Sequence, residues 1–446
     1  MRLPGPVAAA ALALLVAAAA SSQQFKVSTE HPRLFLRPQR LRLLKREVQR
    51  ESLRWQQLAM LMEGKARMPE PGFALALYYQ ASGNEQAGLE AVKWALAGAS
   101  DLRQLALVFD WCQPLMSPEQ SRMLAGRLEQ GLKQAPAARD VASMRARGLA
   151  AVALADHLPG VPELTFESIV RQWWQGEVVP ALKSGRAVIF RDEHYALFEL
   201  LHALRDNLDV DLTEAVPALF RQLPLGHLFS YYPASYPGGE NEYRIPAPAA
   251  QPVDLRRAAL SRAAELAIVA YEPNAFENQS LQGWLMHDPY LLRSAFGITY
   301  EFLWANPYQP GGSYYHLPLA FYDELFGQLF LRSSWDDEAR WLGYFDGRLE
   351  VFENSEPKAV PLRAAFRPVQ IGSTVVTYGA SSLRLEAASE VTGVYVLGLR
   401  PLGRYEIIAD TGKAREERAD RHGVLHLAFP GGLSGLLRLR EIAQRQ

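Results

Sequence analysis

The apolar residues of this 446-residue chain change period once, and that change limits what it can fold into. From Pro38 onward Leu41, Leu44, Val48, Trp55, Leu58 and Met62 recur at spacings of three, four and seven, the mark of one buried helix face. Pro38 sits where a first-turn proline belongs. The same periodicity predicts helices near 73–82, 85–98, 101–112, 141–157, 166–182, 193–207, 213–222, 254–271 and 278–295. Ser117-Pro118-Glu119-Gln120 reads as N-cap, first-turn proline and capping-box partner, opening a helix to about Leu132. After about Phe321 the period becomes two and β-branched residues gather, as in Ser373 to Tyr378 and Gly393 to Leu397. Further strands fit Arg404 to Ala409, Val424 to Phe429 and Leu436 to Arg440, with glycine turns between them.

Helices joined by short loops pack as antiparallel pairs, in a solenoid or a closed helical barrel, and no fixed repeat supports a regular solenoid. Short strands with glycine turns indicate an antiparallel β-sandwich, whose end reads like a fibronectin- or immunoglobulin-type appendage. The expected class is α+β and multidomain: a signal peptide over 1–22, paired helices over 23–320, and a β-sandwich over 321–446.

The signal-peptide expectation rests on Arg2, the apolar run from Val7 to Ala20, and the small residues Ser21 and Ser22. That run is shorter than the ~20 residues a spanning helix needs, and no later segment is long and apolar enough to span, so a periplasmic or secreted protein without a membrane span is expected. The single cysteine, Cys112, excludes an intramolecular disulfide, and stability must come from the core. A net charge of −1 with scattered Lys and Arg gives no basic footprint for nucleic acid. Tyrosines gather instead between Tyr231 and Tyr243 and between Tyr300 and Tyr322, where rings either pack in the core or cover the C–H faces of sugars. Between Leu223 and Val253, Pro224, Pro233, Pro237, Gly238, Gly239, Pro246, Pro248 and Pro252 predict a long loop of functional length.

Three segments carry a resemblance: His31-Pro32-Arg33-Leu34-Phe35 before the first helix, Phe109-Asp110-Trp111-Cys112 ending another, and Arg332-Ser333-Ser334-Trp335-Asp336 leading into Trp341-Leu342-Gly343-Tyr344-Phe345. Together they resemble the heparinase II/III-like and alginate-lyase-like polysaccharide lyases, whose architecture is a helical (α/α) toroid followed by a β domain. The resemblance implies β-elimination on a uronic-acid-containing glycan. That chemistry needs a group to neutralise the uronate, a base for the C5 proton, and an acid for the departing O4.

The resemblance further implies His194 as neutraliser or base, with Arg191 as helper, in Arg191-Asp192-Glu193-His194-Tyr195. Tyr243 would be base or acid, in the loop Tyr236-Pro237-Gly238-Gly239-Glu240-Asn241-Glu242-Tyr243-Arg244, with Tyr236, Glu240 and Arg244 contacting substrate. In Gly311-Gly312-Ser313-Tyr314-Tyr315-His316, His316 would be a second proton carrier and Tyr314 a substrate contact. The expected partner is an acidic polysaccharide or oligosaccharide, with no cofactor and no metal. His422 and His426 could share a strand face but lack a third ligand at suitable spacing. The family's Asn before the histidine is replaced by Asp192 or Glu193, and its histidine-rich strand motif is missing after Trp341. These departures keep a second reading open, a non-catalytic glycan-binding or structural protein on a lyase scaffold. A helical-barrel glycoside hydrolase using carboxylates such as Glu240 and Glu242 is a third, whereas elbow hydrolases, nucleotide enzymes and zinc proteases lack their motifs.

Overall fold

The computed structural model describes residues 25, 27–134, 138–236, 244–287, 294–363, 366–380, 382–385, 391–409, 414–433 and 435–442. The expected signal peptide and two expected site residues, Tyr243 and Glu240, lie outside these.

The molecule is α+β, with helices in the N-terminal part and sheets in the C-terminal part. The helices are α1 (Pro38–Gln49), α2 (Leu53–Glu63), α3 (Pro71–Ser82), α4 (Glu85–Leu96), α5 (Leu102–Trp111), α6 (Pro118–Lys133), α7 (Val141–Leu154), α8 (Val161–Glu167), α9 (Val179–Lys183), α10 (His194–Leu208), α11 (Pro217–Phe229), α12 (Leu255–Tyr271), α13 (Phe276–His287) and α14 (Ile298–Trp304). A π-helical stretch, Ser168–Val178, joins α8 to α9. Local chemistry sets the starts. Ser52, Asn84, Asp101, Asp140 and Asp254 each accept a hydrogen bond from a backbone N–H of the turn they cap, and Ser117 with Gln120 forms the expected capping box. The Ser52 cap divides the stretch after Pro38 into two helices, where periodicity alone runs on without a break.

One expectation about helix ends fails. Pro224 does not stop α11, which continues to Phe229 with the proline inside it. Burial of Leu223, Pro224, His227, Leu228 and Phe229 offsets the lost backbone hydrogen bond.

The most buried helices are neighbours in space: α3 packs on α5, α5 on α7, α7 on α10, α10 on α12, α12 on α14, and α14 back on α3. Charged groups join them. Arg103 of α5 grips Glu199 of α10 with Nε and Nη2 at 2.8 and 2.6 Å, and Arg145 of α7 reaches the same carboxylate at 2.9 Å. Arg103 also donates to Glu70 at 2.9 Å, and Glu70 accepts the Tyr300 hydroxyl of α14 at 2.8 Å.

The strands are β1 (Ala320–Asp323), β2 (Gln328–Arg332), β3 (Trp341–Phe345), β4 (Arg348–Glu353), β5 (Glu356–Val360), β6 (Val369–Ile371), β7 (Thr374–Tyr378), β8 (Ser382–Leu385), β9 (Val391–Leu397), β10 (Arg404–Ala409), β11 (Arg415–Arg418), β12 (Leu425–Leu433) and β13 (Gly435–Glu441). They form three sheets: an antiparallel meander β1-β2-β3-β4-β5, then β12-β9-β7-β6, then β11-β10-β13-β8. This corrects the simple antiparallel sandwich, because β7 and β9 pair in parallel and a third sheet is present. Period two decides the layering. Phe330, Trp341, Phe345 and Phe352 of the meander join the core of the helical part. Leu329, Leu331, Leu342 and Val351 of the same strands join Val376, Tyr395 and Leu397 of the second sheet. A further core, including Val394, Leu427, Ile407 and Leu437, lies between the second and third sheets. Gly343 has no room for a side chain, since a Cβ there would lie 2.3 Å from the Trp341 ring.

Candidate functional site

Where α10, α11, α12 and the meander meet, a cleft of about 90 Å³ opens between the helical and β parts. His194, Arg191, His227 and Arg257 line it from the helical side, and Asp323, Gln328 and Asp346 from the meander.

His194 is buried, being 4% exposed. Its Nδ1 lies 2.9 Å from His227 Nε2, and His227 Nδ1 lies 3.0 Å from Glu265 Oε1. The hydrogen-bond network fixes the tautomers. Glu265 also receives the Ser261 hydroxyl at 3.0 Å, the Tyr231 hydroxyl at 2.8 Å and Arg191 Nη2 at 3.4 Å. With the carboxylate accepting throughout, His227 donates from Nδ1 and keeps a bare Nε2. His194 Nδ1 then donates to that nitrogen, leaving the lone pair on His194 Nε2, which no hydrogen bond among the described residues engages.

Electrostatics favour neutral rings. Burial holds His194 and His227 well below the ordinary histidine value, and the charge of Arg191 pushes both further down. Glu265 sits above the ordinary carboxylate range because burial outweighs Arg191 and its hydroxyl donors. Arg191 is spent inward: its Nε and Nη2 reach Ser261 Oγ at 3.1 and 2.9 Å. At the rim, Arg257 donates to Asp192 at 2.7 Å.

Tyr231 links this relay to a second group. Its ring centroid lies 5.6 Å from Trp284, and its carbonyl accepts from Arg332 Nη2. Arg244 also lies over Trp284, at 4.8 Å, and donates to Pro233 O at 2.9 Å and to Asp337 at 3.0 Å. Tyr314 packs edge-on to Trp284 at 5.4 Å. Arg332 Nε and Nη1 and Arg244 Nε are buried without a hydrogen-bond partner among the described residues. Burial, followed by the neighbouring Arg244, lowers the Arg332 guanidinium to about 9.

The structure therefore brings His194 and Arg191 together, and places Arg244 and Tyr314 against a common tryptophan. Tyr236 forms a β-bridge with Arg244 and packs edge-on to Tyr232 at 5.6 Å, without reaching the relay's hydrogen bonds. His316 is exposed at the end of a short 3₁₀ turn, Tyr314–His316, away from the relay's hydrogen bonds, so the pairing of His316 with His194 as proton carriers is not seen. His422 and His426 diverge as well: the first reaches Leu325 O at 3.1 Å, and the second stacks on Tyr395 at 4.3 Å. A group able to hold a metal does exist elsewhere, where ligand atoms of His31, Asp156 and His157 lie within 4.8 Å of one another. Arg33 already binds Asp156 there, and Asp110 holds His31 Nδ1 at 2.6 Å.

Sequence reasoning missed His227, Glu265, Ser261 and Arg332. Glu265 left a signal, a lone acid in the run Ala263-Ala264-Glu265-Leu266-Ala267. His227 left none, because a loop was expected there. No protein-family model matches the sequence, and no curated protein matches it.

Proposed function

We propose that this protein is an exported polysaccharide lyase that cleaves a uronic-acid-containing glycan by β-elimination at the His194 cleft. The observation that carries the proposal is the relay Glu265–His227–His194, which leaves a lone pair on His194 Nε2 at the cleft wall. In the proposed step the C5 proton passes to His194 Nε2, the C4=C5 double bond forms as the C4–O4 bond breaks, and O4 takes a proton from Tyr243. A substrate carboxylate opposes the burial that lowers His194, and so makes it a stronger base once substrate is bound. Arg257 is the rim cation that carboxylate would meet, in competition with Asp192, which Arg257 already binds at 2.7 Å. A toroidal arrangement of the helices is part of the proposal, supported by the run of packed helices that returns from α14 to α3. Export is likewise proposed from the apolar run Val7 to Ala20. Among the described residues no helix is long and apolar enough to cross a membrane.

A specific observation favours the rival, a glycan-binding protein without catalysis. Arg191 points inward, and Asp192, Asp323 and Asp346 line the cleft, where they repel a uronate. Incubation with alginate, heparan, chondroitin and hyaluronan, followed by the ultraviolet absorbance of the unsaturated uronyl product, separates the two. Product that is lost in both His194→Gln and Tyr243→Phe supports elimination. Binding without product on any of the four supports the rival.

A further inference from the structure

A second cleft opens beside the other end of α10. His202 and Arg205 line it, about 12 and 16 Å along the helix from His194 at 1.5 Å per residue. It is far larger than the first, about 600 Å³, and none of its wall comes from the sheets. Arg37, at the N-cap of α1, and Arg40, Arg42 and Arg46 of the helix itself line it, and α10 supplies Arg205. Against these stands one acid, Asp206, which Arg205 already engages at 3.2 Å. Arg40 is fixed in the wall by Trp304 O at 3.1 Å, and Arg205 lies 3.8 Å over the Tyr271 ring. Arg37, Arg42 and Arg46 are exposed and have no carboxylate partner among the described residues.

This charge is unfavourable for the protein alone. Arg42 and Arg46 stand four apart on one helix, as do Arg46 and Arg50, and like charges at that spacing destabilise it. The only acid of α1, Glu47, is buried, and its carboxylate oxygens have no hydrogen-bond partner among the described residues. The first turn of α1 holds no acid and has no side-chain cap, so its N–H groups add positive potential beside Arg37. Aromatic surface accompanies the charge. Tyr308 is partly exposed and lies under Arg46 at 4.1 Å, and Trp304 forms wall beside it. Guanidinium forks bind planar oxyanions, while ring faces cover the C–H faces of sugars.

We propose that this arginine-lined cleft is a second binding site for an acidic oligosaccharide, separate from the His194 cleft, which holds a distal part of the glycan chain. The sugar identity rests on the function proposed above; the anion preference rests on the cleft alone. The site recognises carboxylate or sulfate groups on the ring, and the probes below tell the two apart.

The experiment measures binding of defined hexasaccharides by titration calorimetry: a sulfated heparin fragment, a carboxylate-only oligomannuronate and a neutral glucan. The proteins are wild type, Arg42→Glu/Arg46→Glu, the milder Arg42→Gln/Arg46→Gln, Tyr308→Ala and His194→Gln, each checked for native circular dichroism. Wild type should bind the anionic probes, more weakly as salt rises, and the neutral probe not at all. Charge reversal should weaken anionic binding at least tenfold, the glutamine pair less so, and Tyr308→Ala severalfold. His194→Gln should leave this binding in place, whether or not uronyl product forms, so the cleft can stand even where the lyase reading falls. A heparin preference assigns sulfate, and equal binding assigns carboxylate. Unchanged affinity in both folded arginine pairs, or equal binding of the neutral probe, overturns the proposal.

Discussion

Tyr231 donates its hydroxyl to Glu265 Oε2 across 2.8 Å while Arg332 holds its carbonyl, so one residue spans the histidine relay and the arginine–tryptophan group. Tyr231→Phe removes a donor from a fully buried carboxylate. The expected loss is about 1–3 kcal/mol of stability, read as a lower urea midpoint. An unchanged midpoint would mean that the hydroxyl contributes nothing.

His227 holds His194 in one tautomer. In the proposed elimination, His227→Phe should lower turnover roughly 10²-fold, the scale of a mispositioned general base, with a smaller effect on KM. Full turnover in this variant would remove the relay from the mechanism.

Glu199 anchors Arg103 and Arg145 with no exposure of its own. Burial pushes its pKa up, yet the two arginines more than reverse this and hold it below the ordinary value. Glu199→Leu leaves the buried Arg103 short of its main partner and should cost about 3–5 kcal/mol, measured by denaturant unfolding. A native-like midpoint would mean that Glu70 alone neutralises Arg103.

Acid should weaken the fold through its buried histidines. His194, His202 and His227 are all held below the ordinary 6.5 by burial, His202 at about 3. Below 6.5 the unfolded chain binds protons that these rings refuse, so their contribution is complete above that value and declines as pH falls. His31 runs the other way: burial lowers it, but Asp110 and Asp156 raise it overall, and its contribution fades as pH rises through its folded value. Unfolding midpoints across the mildly acidic range should fall with pH, and the slope should flatten in His202→Leu if that variant folds natively.

Asp110 ties the chain ahead of α1 to α5. It accepts the backbone N–H of Arg33 at 3.0 Å and of Leu34 at 2.8 Å, besides holding His31. Asp110→Ala should speed amide exchange at Arg33 and Leu34 by well over tenfold, with smaller changes in the sheets. Equal protection in variant and wild type would contradict the clamp.

The helical part was legible because its signals are local. Caps such as Ser117 and Asp101, and apolar spacings along one face, are complete within one or two turns. Sheet order was not legible, since the parallel pairing of β7 with β9 depends on a crossover that no short segment encodes. Within the site, His194 and Arg191 were found from a sequence motif, whereas His227, Ser261 and Glu265 belong to helices distant in sequence and meet only through packing. Pro224 shows the limit most directly. Its rule is sound for an isolated helix, and the burial of α11 against the meander overrides it.

The contact between Tyr300 and Glu70 joins residues 230 apart in sequence. On the ribosome, α2 and α3 therefore emerge long before α14 exists to cover them, a delay of about 10–50 s at roughly 5–20 residues per second. Within that interval α3 already meets its native neighbours α4 and α5, whereas α2 waits for α14, against which it packs most. Docking of α14 on α2 and α3 is thus a late event in biosynthesis, and a nascent chain stalled before Ile298 lacks the native cover for the side of those helices that α14 takes.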